Sequence, residues 1–156
     1  MTNLVAIIVA KWLFIFPLLV GGIYFIIVSR SIKIKMIMLS AISLPLAVAG
    51  KLLLSYMYYN PRPFVALDFV PLVSHAADNG FPSEHAIFTA MIASILFIFN
   101  KKIGVGLFII SIFISIARVY LGLHHSVDVI VGSLLPIAVA SLSWIIMRHS
   151  IHKSDQ

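Results

Sequence analysis

Residues 101–128 read KKIGVGLFIISIFISIARVYLGLHHSVD. Two lysines are followed by fifteen uncharged residues, then Arg118, a Leu121-Gly122 turn, and the run His124-His125-Ser126-Val127-Asp128. A block that is apolar around its whole circumference, rather than along one stripe, has lipid and not water as its outer solvent. The stretch predicts a membrane helix from about Ile103 to Leu121. Sixteen residues separate Lys102 from Arg118, a rise of roughly 24 Å in a helix. With Lys102 at one membrane surface, Arg118 lies just inside the other. Ionisable groups at that depth are costly and usually functional.

The rest of the chain has the same character. Of its 156 residues, 62% are hydrophobic and 10% charged, with a mean hydropathy of +1.12. That is too little charge to cover a soluble domain of this size. Four more apolar blocks predict helices over Leu4 to Val28, Lys35 to Tyr59, Glu84 to Phe99 and Val127 to Met147. Pro17 and Gly21-Gly22 lie inside the first, where neighbouring helices can satisfy freed backbone groups, and Ser83 is the expected N-cap of the third. Most turn residues fall in one long loop, Asn60 to Pro82. The expectation is an all-α integral membrane bundle of five transmembrane helices, a single domain over residues 1–156. The opening MTNLVAIIVAK lacks a basic leader, so its apolar segment is expected to be a retained span. Absence of cysteine excludes disulfides, thiol nucleophiles and Cys-ligated metals.

The net charge of +6 sits at helix ends rather than in a stripe, which argues against nucleic acid as a partner. Seven of the eleven basic residues (Arg30, Lys33, Lys35, Lys101, Lys102, Arg148 and Lys153) fall in three connections that five spans would place on one side. That side is expected to be cytoplasmic, with the C-terminus. The long loop and the LGLHHS turn then face outward. Lys11 is expected to snorkel to the outer interface beside Trp12. Lys51, His85 and Arg118 each lie sixteen residues from a basic residue of the cytoplasmic side, and Asp128 twenty. These separations, roughly 24 to 30 Å, converge on one level near the outer surface.

That level holds the chemistry. Arg62 and Arg118 offer guanidinium forks that fit phosphate oxygens, and Lys51 a third cation. The start of the third helix offers free N–H groups at Ser83, Glu84 and His85, with the helix dipole aimed at an anion and the Ser83 hydroxyl as a further donor. His124 suits a nucleophile, and Asp128, four residues on, is placed to hydrogen-bond it and fix its tautomer. His85 suits the acid/base role. Read alone, each cation fits a structural ion pair and His85 a surface position at a helix start; together they leave a cationic excess over Glu84 and Asp128. Asp68 and Asp78 read as turn residues, His75 as a surface loop residue, and His149 and His152 as tail residues. His125 points elsewhere on a helix than His124. A metal centre for phosphate hydrolysis needs several carboxylates, and the chain has five acidic residues in all, so no metal and no cofactor are expected.

These pieces resemble the type 2 phosphatidic acid phosphatase (PAP2) superfamily, over about residues 51 to 128. Arg62-Pro63 looks like the end of its Lys…Arg-Pro motif, Pro82-Ser83-Glu84-His85 like its Pro-Ser-Gly-His motif, and Ala117-Arg118 through His124 and Asp128 like its Ser-Arg-x5-His-x3-Asp motif. Arg62-Pro63-Phe64, His75-Ala76-Ala77-Asp78 and Phe81-Pro82-Ser83-Glu84-His85 look closest to bacterial undecaprenyl-diphosphate phosphatases of the bacitracin-resistance type. The resemblance implies a haloperoxidase-like helical core, a phosphohistidine formed on His124, His85 as acid/base, no metal, and an outward-facing site in the bacterial plasma membrane. The substrate it implies is undecaprenyl diphosphate. Phosphatidylglycerol phosphate, phosphatidic acid and transfer to another lipid acceptor remain alternatives, and a small anion channel or transporter is the reading from a different class. The chain departs from the pattern in four ways. Glu84 stands where the motif has glycine, Ala117 where it has serine, Lys51 precedes Arg62 by eleven residues, and five helices replace the usual six. The missing helix leaves a flank open to lipid or covered by a second copy.

Overall fold

The structure, a computed structural model, describes the backbone of residues 2–154 and the side chains of residues 3–149. Its helices are α1 (Thr2–Trp12), α2 (Ile15–Ile27), α3 (Arg30–Met57), the single turn α4 (Pro63–Ala66), α5 (Glu84–Phe99), α6 (Lys101–Tyr120) and α7 (Ser126–Ser154). The side chains of the tail positions His152 and Lys153 lie outside the described residues.

The expected first helix is broken, with α1 and α2 meeting at 41°. The break lies four residues before Pro17, where proline removes a hydrogen bond and its ring crowds the carbonyl of residue i−4. That carbonyl, of Leu13, accepts from the Phe16 N–H at 3.0 Å instead. The second helix begins at Arg30, five residues early, so Arg30, Lys33 and Lys35 lie in its first turns rather than in a connection. Three helices, α3, α6 and α7, are long and apolar enough to cross a membrane, and a fourth span results if α1 and α2 count as one. The expected five is therefore not reached by length: α5 has 16 residues.

Helix α5 is the centre of the bundle. Most residues from Ala86 to Leu96 are buried, where α6, α7, α3 and α2 surround it. Its alanines at 86, 90 and 93 let neighbours approach closely. Leu39, Leu96, Leu107 and Met91 form the core between α3, α5 and α6. Buried hydroxyls there bond within their own helices, Ser43 to the Leu39 carbonyl and Ser94 to that of Ala90, both at 2.7 Å. The outer faces expose Leu, Ile and Phe along α2, α3, α6 and α7, far more apolar surface than water tolerates on one protein. A second small core joins Ala10 of α1 to Ala117, Leu121 and Leu123, tying the N-terminal helix to the end of α6.

The seam between α5 and α6 depends on Gly104. A Cβ there would stand 2.3 Å from the Phe97 Cα, backbone that cannot rotate away. Gly104→Ala is expected to cost about 1–3 kcal/mol as overpacking, read as a lowered Tm in detergent. An unchanged Tm would show that the seam opens freely.

Candidate active site

One end of the bundle carries a cavity of about 280 Å³. Its lining includes Lys51, Arg62, His75, Asp78, Glu84, His85, Arg118 and His124. Helices α3, α5 and α6, the loop from 58 to 83 and the turn after α6 each supply part of it. Gly122 permits that turn: its φ is +69°, and a Cβ would meet the Phe69 ring at 2.4 Å.

His124 is buried, 3% exposed. Its Nδ1 lies 2.9 Å from the Gly80 carbonyl, which can only accept, so Nδ1 carries the proton. Its Nε2 lies 3.2 Å from Arg62 Nη1 and 3.4 Å from Arg118 Nη2, which can only donate. The lone pair of Nε2 therefore points at two guanidiniums, where an anionic phosphate would be held. Asp128 does not hydrogen-bond the ring as expected; its Oδ2 is 3.6 Å from Nδ1, beyond hydrogen-bond range. The reason is that His124 sits in the turn before α7, outside the helical spacing assumed for the pair. Asp128 instead accepts from the His125 N–H and from Asn60 Nδ2, both at 2.7 Å, and so braces the turn that presents His124.

Arg62 is fixed at three points: Nε to Asp78 Oδ1 at 2.7 Å, Nη1 to the Leu123 carbonyl at 2.9 Å, and Nη1 to His124. Arg118 donates to the Ala10 carbonyl of α1 at 3.2 Å and to His75 Nε2 at 3.2 Å, while its buried Nε has no partner in the protein. His85 lines the same cavity, its ring edge-on to Phe14 at 5.3 Å between centroids. His125 turns away, its Nε2 donating to the Pro61 carbonyl at 3.1 Å.

Several expectations are corrected. The Ser83 N–H is not free: it donates to the Asp128 carbonyl at 2.9 Å. Ser83 occupies the N-cap position of α5, but its hydroxyl caps nothing and is buried without a partner. At the start of α5 this leaves the N–H groups of Glu84 and His85 for an anion. Lys51 is paired with Glu84 at 2.7 Å. His75 and Asp78 are not bystanders of a surface loop; they hold Arg118 and Arg62 respectively. With Asp78 present, three basic and two acidic residues line the cavity, one net positive charge. The acids are the exposed members, with side chains 57% and 73% accessible, while both arginines are buried. The desolvated cations therefore dominate the field at Nε2. Among the described residues, no three His, Asp or Glu side chains gather closely enough to hold a metal ion.

Asn60 and Asn79 were invisible to spacing. Asn79 Oδ1 accepts from the backbone N–H of Asn60 and Phe81, and its Nδ2 donates to the Ser55 and Tyr58 carbonyls. It laces the two ends of the 58–83 loop together and so places the Gly80 carbonyl against His124.

Burial is the largest influence on the His124 imidazole and lowers its pKa; the Asp128 carboxylate opposes it, and Arg118 and Arg62 add to it, leaving the ring below the ordinary 6.5. His75 is lowered likewise, by burial first and then by Arg62 and Arg118. For Asp78 burial pulls upward, but the hydrogen bond and charge of Arg62 outweigh it and hold the carboxyl low. A depressed imidazole stays neutral as pH falls through 6.5 and protonates only below it. The ¹⁵N titration midpoint of His124 in detergent micelles is thus expected below 6.5. Arg118→Gln should raise it, because one charge that disfavours the imidazolium is gone. A wild-type midpoint at or above 6.5 would contradict this electrostatic picture.

Residues 35–151 match the family described as the PAP2 superfamily. Undecaprenyl-diphosphatase BcrC of Bacillus subtilis (strain 168) is 40% identical over 83 residues, 53% of this chain and 42% of the relative. A protein of Bacillus licheniformis named bacitracin transport permease protein BcrC is 35% identical over 94 residues, 60% of this chain and 46% of the relative. The matched part of the chain thus spans less than half the length of either relative. Among solved structures, Aquifex aeolicus LpxE superposes with a TM-score of 0.68 at 27% identity, covering 89% of this chain and 80% of that one.

Proposed function

Since the chain belongs to the PAP2 superfamily, we propose that it is an integral membrane phosphatase that removes the terminal phosphate of a lipid diphosphate, with His124 as nucleophile. The observation that carries this reading is the orientation of His124: Nδ1–H donated to Gly80, and the Nε2 lone pair facing Arg62 and Arg118.

The reaction follows from that geometry. Arg62, Arg118 and the N–H groups of Glu84 and His85 hold the terminal phosphate. Nε2 attacks phosphorus in line; the N–P bond forms as the P–O bond to the leaving oxygen breaks, and His85 protonates that oxygen. Water, giving a proton to His85, then attacks phosphorus and breaks the N–P bond, releasing inorganic phosphate and neutral His124. Two guanidiniums balance the charge that builds on the equatorial oxygens. Asp128, the third residue of α7, is a positioning residue in this scheme.

The name of the Bacillus subtilis relative supports undecaprenyl diphosphate as substrate. The distribution of Arg30, Lys33, Lys35, Lys101, Lys102 and Arg148 supports an orientation with the cavity facing outward and the C-terminus cytoplasmic. In this reading α5 is a fifth span, short because α3, α6 and α7 rather than lipid surround it, and the lipid enters sideways from the outer leaflet.

A second reading, transport, is favoured by the name of the Bacillus licheniformis relative. Against it, α3, α5 and α6 meet in the apolar core of Leu39, Met91, Leu96 and Leu107, which disfavours passage of an ion through the bundle. The test is phosphate release by detergent-purified protein from C55-isoprenyl diphosphate and from phosphatidylglycerol phosphate, with EDTA present. Chelator-resistant release, faster from the diphosphate, is expected. Release from neither lipid by folded protein would move the reading to transport.

A further inference from the structure

Lys51 and Glu84 line two spaces at once. On one side they border the polar cavity of His124. On the other they close the upper end of an apolar groove of about 520 Å³ between α2, α3 and α5, floored by Leu44, Val48, Phe88 and Met91. Lys51 and Glu84 are the two residues whose side chains border both spaces. Beyond this pair its lining is apolar but for Ser40, which suits a hydrocarbon chain, so a lipid lying in the groove presents its headgroup to Lys51 at the end that borders the cavity.

We propose that Lys51 is the subsite for the inner phosphate of a lipid diphosphate, with Glu84 standing in for that phosphate until substrate displaces it. The proposal rests on the phosphatase reading above and adds to it a basis for choosing diphosphates over monophosphates. Three observations carry it. Lys51 Nζ is 2.7 Å from Glu84 Oε1, the contact an ammonium would make with a phosphate oxygen. The Glu84 side chain is 73% accessible, so it can swing away without leaving a buried charge. The flanks of Nε2 are already occupied by Arg62 and Arg118, which leaves the terminal phosphate with its own cations and Lys51 with the group next along the headgroup. A monophosphate puts only an ester oxygen and the chain at that point, and gains nothing from displacing Glu84.

The test compares farnesyl diphosphate with farnesyl monophosphate, which share a chain and differ by the inner phosphate. The readout is the ratio of kcat/KM for the two with wild type, Lys51→Met, Lys51→Arg and Glu84→Gln, each checked by size-exclusion profile. Lys51→Met is expected to lower the diphosphate preference about tenfold or more, the loss of one charge-assisted contact. Lys51→Arg should recover most of it, and Glu84→Gln should lower KM for the diphosphate more than for the monophosphate, since the internal competitor is gone. Equal losses on both substrates in Lys51→Met, or a Glu84→Gln effect of the same size on both KM values, would overturn the subsite. If Lys51→Met does not fold, the Lys51→Arg and Glu84→Gln ratios decide. Wild-type protein that hydrolyses neither substrate would overturn the phosphatase reading and the subsite together.

Discussion

His124→Ala is expected to lower phosphate release from any lipid substrate by about 10³-fold or more, the scale seen when a covalent nucleophile is removed. The residue sits at the meeting of three hydrogen-bonding groups, and no neighbour can replace it. His125 donates to Pro61 and points away, while His75 sets its Nε2 against Arg118, without the pair of guanidiniums that flanks His124. The fold should survive, because the core lies deeper, around Leu39 and Leu96, and the alanine leaves space in a cavity that is already open. A rapid-quench experiment with labelled substrate sharpens the test. Wild type should carry acid-labile label on protein and the variant none. Turnover above about a tenth of wild type in a folded variant would remove His124 from the nucleophile's role.

Arg62→Lys is the second large effect, expected at about 10²-fold in kcat/KM, comparable to removing one donor from an oxyanion site. Charge is preserved, so any loss reports geometry. Arg62 uses Nε for Asp78 and Nη1 for both the Leu123 carbonyl and His124 Nε2, a planar fork that one ammonium cannot copy. Lysine would be drawn to Asp78 or to Leu123, and either choice takes its charge from the phosphate. Activity within threefold of wild type would mean that Arg62 acts only as a distant positive charge.

Much of this was legible in the chain, for reasons that differ by residue. The apolar blocks are strong signals because lipid imposes a length and a composition, and α5 and α6 begin and end within two residues of where hydrophobicity puts them. Depth arithmetic brought Lys51, His85, Arg118 and Asp128 to one level because helical rise is nearly constant, and the cavity holds the first three. The misses have a common cause. The Asp78–Arg62 and His75–Arg118 contacts and the Gly80 carbonyl against His124 depend on how the 58–83 loop folds over the site, and irregular backbone has no period to read. Helical spacing also brings Asp128 to His124, but across a turn, so carboxylate and ring stand 3.6 Å apart, within ion-pair range and beyond a hydrogen bond.

The family match begins at residue 35, yet Arg118 gives one of its N–H groups to the carbonyl of Ala10. A polypeptide trimmed to the shared core would keep every motif residue and still strand a cationic donor at the reaction centre. Under the proposed reaction the N-terminal helix is therefore a support of the site, not merely its tether. A tag, fusion or deletion that displaces α1 should be felt as a change in turnover before it is felt as a loss of protein from the membrane.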